Sequence, residues 1–136
     1  MKRALIPFLI ISCQVSASQK TLSIEPLARA NINCAAFYTA AQIVVKPDAK
    51  KEYESKMATH YSLSHQLSSS YELLAATLNS ETQRQATEIM SLKDRERVVN
   101  YISSNSIKCT TIEINSIGVV RQNSAKQNIS QEKSKL

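Results

Sequence analysis

Residues 26–47 read PLARANINCAAFYTAAQIVVKP, and this stretch decides the fold class. Pro26 suits the first turn of a helix, where the N–H that proline lacks would have no partner. Apolar and small residues then recur at alternating spacings of three and four, as on one face of a helix: Leu27, Ala30, Cys34, Phe37, Ala41 and Val44. Pro47 ends the pattern, because the residue before a proline is disfavoured in helical geometry. The sequence therefore predicts a helix that buries Cys34 and leaves Asn31 outside the apolar seam.

The next apolar period predicts a second helix from Asp48, a plausible N-cap, to Leu78. This helix passes through the serine run at 68–70, because the period continues across it. His60 and Ser64 are polar members of its seam.

A third helix is predicted after a break at 79–83, where Ser80 and Gln83 have the spacing of a capping box. It carries apolar residues as far as Ile102. Its charged centre at 93–97 is typical of a solvated helix surface with local ion pairs.

The serine-rich stretch 103–106 predicts a turn, and 107–120 predicts a fourth helix. Its β-branched residues favour a strand on propensity, but a lone strand would have no partner for its backbone. Residues 121–136 are polar and predict a disordered basic tail. We expect an all-α fold over 18–120, a small antiparallel bundle of three to four helices with one disulfide.

The first 17 residues have the pattern of a cleaved signal peptide. Lys2 and Arg3 precede an apolar stretch that is too short to span a bilayer. The small residues that a signal peptidase requires follow and end at Ala17, so the mature chain would begin at Ser18. An alternative is that Ile10–Cys13 is a lipobox, in which Cys13 is lipidated and anchors the protein to a membrane. We favour the soluble exported form, periplasmic or secreted.

Either form of export leaves the same two cysteines, Cys34 and Cys109. An even pair in an oxidising compartment indicates a disulfide. In an antiparallel bundle the first and last helices are neighbours, which makes this pairing geometrically reasonable.

The segment NCAAFYTAA at 33–41 follows a short signal and precedes a distant second cysteine. In these features the chain resembles small uncharacterised exported two-cysteine helical proteins of proteobacteria. The resemblance covers the first helix and the cysteine arrangement, and it implies no activity.

The chain has one glycine, Gly118, in 136 residues. Walker phosphate loops, dinucleotide turns, nucleophile elbows and EF-hand loops all require glycine at fixed positions, so these sites are excluded. The sequence also has no motif that positions a nucleophile or a pair of catalytic carboxylates. We therefore expect that the protein is not an enzyme and binds no cofactor. An alternative is a metal- or haem-binding bundle that uses Met57 and His60, which lie one helical turn apart; His65 lies on another face.

The net charge of +6 does not indicate a nucleic-acid-binding domain. Lys2 and Arg3 contribute two positive charges and the segment 121–136 contributes a net three, which leaves +1 for the rest of the chain. The sequence favours a protein of binding or assembly type, whose partner is another protein or an envelope component. The lipidated alternative would be a surface lipoprotein of exclusion or lysis type, and only that form would contact a membrane.

Overall fold

The structure is a computed structural model, and it describes residues 24–135. The predicted signal peptide and Cys13 lie outside these residues. The described chain forms four helices, α1 (Pro26–Ala41), α2 (Pro47–Leu67), α3 (Tyr71–Ser91) and α4 (Arg95–Lys133). No strand occurs among the described residues. The all-α bundle with one disulfide is confirmed.

Helix α1 is the central element, because each of the other three helices packs against it. Most of its residues are buried, and they are not confined to one seam: Ala28, Asn31, Ile32, Cys34, Ala35, Ala36, Phe37, Tyr38, Ala40 and Ala41. Its alanines have little volume, so three helices can approach its backbone closely. A helix that is mostly apolar on all sides belongs in a core, and the expectation that Asn31 lies outside the seam is therefore wrong.

Two clusters form the core. The first contains the Cys34–Cys109 disulfide together with Phe37, Tyr38 and Ile89, and the second joins the start of α1 to Leu74 of α3. The predicted disulfide is confirmed, and it links α1 to α4, the first and last helices.

Helix α1 ends at Ala41 and does not continue to Pro47. The backbone N–H groups of Gln42, Ile43 and Val44 bond to carbonyls three residues earlier, which tightens the chain into a turn. Val44, which was expected in the seam, is 43% exposed. Three successive β-branched residues at 43–45 have low helix propensity, which favours this early end.

The predicted long second helix is wrong, because the chain turns at 68–70 and divides it into α2 and α3. Ser68 is buried, and its Oγ accepts a hydrogen bond from the backbone N–H of Ser70 at 3.2 Å. Serine hydroxyls that bond to backbone groups in this way compete with the hydrogen bonds of a helix. The resulting turn lets Leu74 of α3 pack against α1. The apolar period that continues across this serine run therefore belongs to two helices.

The predicted break at 79–83 is also wrong, since α3 is continuous there. Ser80 is not a cap; its Oγ donates to the carbonyl of Thr77 at 3.1 Å. The real break follows at 92–94, inside the charged stretch that was assigned to the third helix. Asp94 caps α4 by accepting a hydrogen bond from the N–H of Arg97 at 2.8 Å.

Helix α4 has 39 residues, about 58 Å at 1.5 Å per residue. The turn expected at 103–106 is helical, and the helix expected at 107–120 is confirmed. The structure also differs at the C-terminal end, because residues 121–133 continue α4 where a disordered tail was expected. Residues 121–135 are all exposed. None of the helices described between residues 24 and 135 has the length and apolar character needed to cross a membrane.

Candidate functional site

A groove lies above α1 between α3 and α4, and the Cys34–Cys109 disulfide forms part of its floor. Its volume is about 370 Å³, within the range of small-ligand sites. We call it the disulfide groove. It is lined by Ala30, Asn33, Cys34, Phe37, Arg84, Gln85, Glu88, Tyr101, Asn105, Lys108, Cys109 and Ile112.

The α3 wall of the disulfide groove is organised by Arg84. Its guanidinium lies 2.8 Å from a carboxylate oxygen of Glu81 and 3.1 Å from one of Glu88. The Tyr101 hydroxyl of α4 donates to Glu88 at 3.2 Å and so bridges the two walls. Burial, followed by the negative charge of Glu88, raises the pKa of Tyr101 to about 12. Tyr101 is thus a neutral hydrogen-bond donor at physiological pH.

Two polar residues that line the groove have side chains without a polar partner in the described chain. The side-chain oxygen of Asn33 is buried and has no hydrogen-bond partner among the described residues. Lys108 is exposed and forms no ion pair with any residue between 24 and 135. The side-chain amide of Gln85 donates to the Asn33 carbonyl at 3.0 Å and holds this part of α1 against α3. The groove therefore offers one cation, Lys108, and adjoins a buried acceptor, Asn33 Oδ1, beside an apolar floor.

A buried polar network involving α1, α2 and α4 includes Asn31, His60 and Ser116, each of which has no solvent exposure. The amide nitrogen of Asn31 donates to the Leu27 carbonyl at 2.9 Å and to Ser116 Oγ at 2.6 Å. A carbonyl only accepts, so this contact determines which end of the amide is the nitrogen. Asn31 Oδ1 then faces His60 Nδ1 at 2.8 Å, and Nδ1 must carry the proton.

The other ring nitrogen of His60, Nε2, is consequently a lone-pair acceptor. It is buried and has no hydrogen-bond partner in the described chain. Glu113 Oε2, a second acceptor, lies 3.9 Å from it, and Lys56 lies 3.3 Å from the same carboxylate oxygen. Burial lowers the pKa of His60, and the charge of Glu113 opposes this effect. Two acceptors, Nε2 of the neutral imidazole and a carboxylate oxygen of Glu113, therefore lie 3.9 Å apart with no proton between them.

The structure brings His60 to the disulfide. A ring nitrogen of His60 and the two sulfur atoms lie within 4.8 Å of one another. Met57, the other residue of the expected metal or haem pair, packs against the core cluster around Phe37. His65 stacks on Tyr71 with ring centroids 5.0 Å apart, away from this network.

Sequence reasoning did not find Asn31, Asn33, Glu113 or Ser116. A signal for Asn31 was present, because it lies among alanines that face every side of α1. Ser116 shares a helical stripe with Cys109 and Ile112, which was a signal for its burial, whereas Glu113 had no comparable signal because it approaches α2 only through the packing of α4. Comparisons of the chain with protein-family models, curated proteins and solved structures found no match.

Proposed function

We propose that this chain is an exported helical-bundle protein that acts by binding and not by catalysis, and that its ligand occupies the disulfide groove. The observation that carries the proposal is a cavity lined by Lys108, which has no ion pair among the described residues, and by Asn33, whose buried side-chain oxygen has no partner there. An unsatisfied buried acceptor costs about 1 to 3 kcal/mol. If the Asn33 side chain turns toward the groove, a ligand that donates a hydrogen bond to it would recover this cost.

The ligand we propose is peptide-like, either a segment of a partner protein or a component of the cell envelope. A peptide supplies N–H donors for Asn33 and, at a chain end or an acidic side chain, a carboxylate for Lys108. Its apolar parts would contact Phe37 and the disulfide. The volume of about 370 Å³ corresponds to a few residues.

A binding role is also supported by the chemistry of the reactive groups in the groove. The sulfur atoms of Cys34 and Cys109 are bonded to each other, so neither is a thiolate nucleophile. The raised pKa of Tyr101 favours a hydrogen-bond donor over a general base. The charge of Arg84 is already paired with the carboxylates of Glu81 and Glu88, so this residue is not a free cation for a reaction.

The binding proposal is tested with a pooled library of tripeptides that have free carboxyl termini. Amide resonances of the ¹⁵N-labelled oxidised protein are recorded during titration, and we expect shifts at Asn33, Gln85 and Lys108. Lys108→Glu should weaken binding by at least about tenfold, because it replaces an ionic hydrogen bond with repulsion. Lys126→Glu is the matched control, since Lys126 is exposed on the same helix outside the groove.

Two results would count against the groove. The first is the absence of any shift at millimolar peptide, and the second is an equal loss of affinity in Lys108→Glu and Lys126→Glu. An equal loss would assign the effect to net charge alone.

Export is proposed from the pattern of residues 1–17 and is supported by the disulfide, a bond favoured in oxidising compartments. Mass spectrometry of the processed N-terminus separates the two forms. A start at Ser18 would support the soluble form, and a lipidated Cys13 would support the anchored one. An unprocessed Met1 after expression in a bacterial host would contradict both.

A further inference from the structure

The groups around the disulfide include the donor types of a zinc site. The two sulfur atoms and a ring nitrogen of His60 lie within 4.8 Å of one another, and all three residues are buried. Glu113 Oε2 lies 3.9 Å from His60 Nε2. In a tetrahedral zinc site with bonds of 2.0 to 2.3 Å, the ligand atoms are about 3.3 to 3.8 Å apart. Small movements would therefore bring the two sulfur atoms and the imidazole into this geometry, and Glu113, which is outside the 4.8 Å cluster, would have to move closer to the sulfur atoms to complete it.

We propose that reduction of the Cys34–Cys109 disulfide creates a zinc site, with Cys34, Cys109, His60 and Glu113 as ligands. The same two helices, α1 and α4, are then joined by a disulfide in the oxidised protein and by Zn²⁺ in the reduced protein. This inference is independent of ligand binding in the disulfide groove.

His60 is prepared for this role by its neighbours. Its Nδ1–H is donated to Asn31 Oδ1, and Asn31 is fixed in turn by Leu27 and Ser116. Metal-binding histidines have such a partner on the nitrogen that does not bind the metal, because the contact sets the tautomer and the ring orientation. Nε2 is left with a buried lone pair opposite a carboxylate, and a cation between them would satisfy both acceptors.

Reduction and metal binding are two balanced steps. A dithiol reductant transfers two electrons and two protons to the disulfide, which becomes two thiols, and the reductant itself becomes a disulfide. Each thiol then loses its proton to solvent as its sulfur bonds to Zn²⁺.

The charges also favour zinc at this position. Zn²⁺ with two thiolates is neutral, and the carboxylate of Glu113 is balanced by Lys56, 3.3 Å away. This set of groups therefore adds no net charge to the core. A net charge there would be costly to bury. Two thiolates, an imidazole and a carboxylate in a four-coordinate arrangement are characteristic of zinc.

The test compares the purified full chain with and without a phosphine reductant. Zinc content is measured after dialysis against micromolar Zn²⁺, and far-UV circular dichroism records whether the helices are retained. We expect one Zn²⁺ per reduced chain and none per oxidised chain. Co²⁺ added to the reduced protein should produce a thiolate-to-cobalt charge-transfer band.

The ligand assignment is tested by matched histidine variants on α2. His60→Gln should lower zinc affinity by at least about tenfold, and His65→Gln, the control, should leave it unchanged. Glu113 is partly exposed, so the protein should tolerate Glu113→Gln. This variant should keep the thiolate-to-cobalt charge-transfer band and should bind zinc about tenfold more weakly.

Three results would overturn the proposal. They are no zinc in the reduced protein, equal losses in His60→Gln and His65→Gln, and a reduced protein that unfolds and does not recover its helices when Zn²⁺ is added.

Discussion

Breaking the Cys34–Cys109 disulfide should remove a large part of the stability of this protein. The two cysteines are 75 residues apart, and the closed loop contains all of α2 and α3. For a loop of this length, the chain-entropy relation gives about 15 cal/mol/K. This corresponds to about 4.5 kcal/mol at 25 °C, which is comparable with the whole stability of many small domains.

The perturbation is best made in two ways. Reduction of the wild-type protein retains both sulfur atoms, so it isolates the effect of the covalent bond. The double variant Cys34→Ala/Cys109→Ala removes the bond without placing a hydroxyl in the buried core. Cys34→Ser alone would add the cost of a buried polar group, about 1 to 3 kcal/mol, and would leave Cys109 as a thiol able to form dimers.

The assay is urea unfolding followed by far-UV circular dichroism, in the presence of EDTA so that metal ions do not bind the reduced cysteines. A loss of about 4.5 kcal/mol lowers the midpoint by about 2.3 to 4.5 M urea for m values of about 1 to 2 kcal/mol/M. The double variant should unfold at the same urea concentration with and without reductant, which controls for other effects of the reductant. If reduction costs less than about 1 kcal/mol, the loop-entropy reasoning is refuted for this protein.

Three further predictions concern single residues. Asn31→Ala should lower the free energy of unfolding by about 3 kcal/mol in urea, because it leaves the buried His60 N–H unpaired; a loss below about 1 kcal/mol would contradict the network. Burial lowers the pKa of His60 below its ordinary 6.5, so the unfolded chain binds the proton more readily. The free energy of unfolding should therefore fall as the pH drops below about 6.5 and level off below the folded-state pKa. Urea unfolding at pH 7 and at pH 5 should show a smaller fall in His60→Gln than in the wild type. An equal fall in both proteins would assign the effect to other groups. Gly118→Ala should raise stability by up to about 1 kcal/mol, since Gly118 is helical and a Cβ would meet no atom within 4 Å; an unchanged or lower melting temperature would argue against a helix there.

The boundaries of the helices were the least predictable part of the fold. The apolar period runs without a visible break across 68–70, because Leu67 ends one buried face and Leu74 begins another. Only the contact of Leu74 with α1 shows that the chain must turn there. Asp94 was a recognisable N-cap residue, but its charged neighbours indicated a solvated helix surface instead of a helix start.

The candidate site was partly predictable. The disulfide followed from the pair of cysteines that remains when Cys13 is assigned to the export signal, and from the adjacency of the first and last helices. His60 was noticed as a polar member of a buried seam, but its partners were not. Asn31 and Ser116 are 85 residues apart in sequence, and no local pattern relates them.

The sequence by itself determined the helical class, because helical periodicity is a local property, and it indicated the cysteine pair once the export pattern set Cys13 aside. The tertiary structure decided where the helices end, which polar residues are buried and what the disulfide adjoins. These features depend on contacts between distant segments: α4 brings Glu113 to within 3.9 Å of a histidine of α2, and the disulfide groove forms where α3 and α4 pack on α1. Such contacts depend on how whole helices pack around α1, which no single stretch of residues specifies.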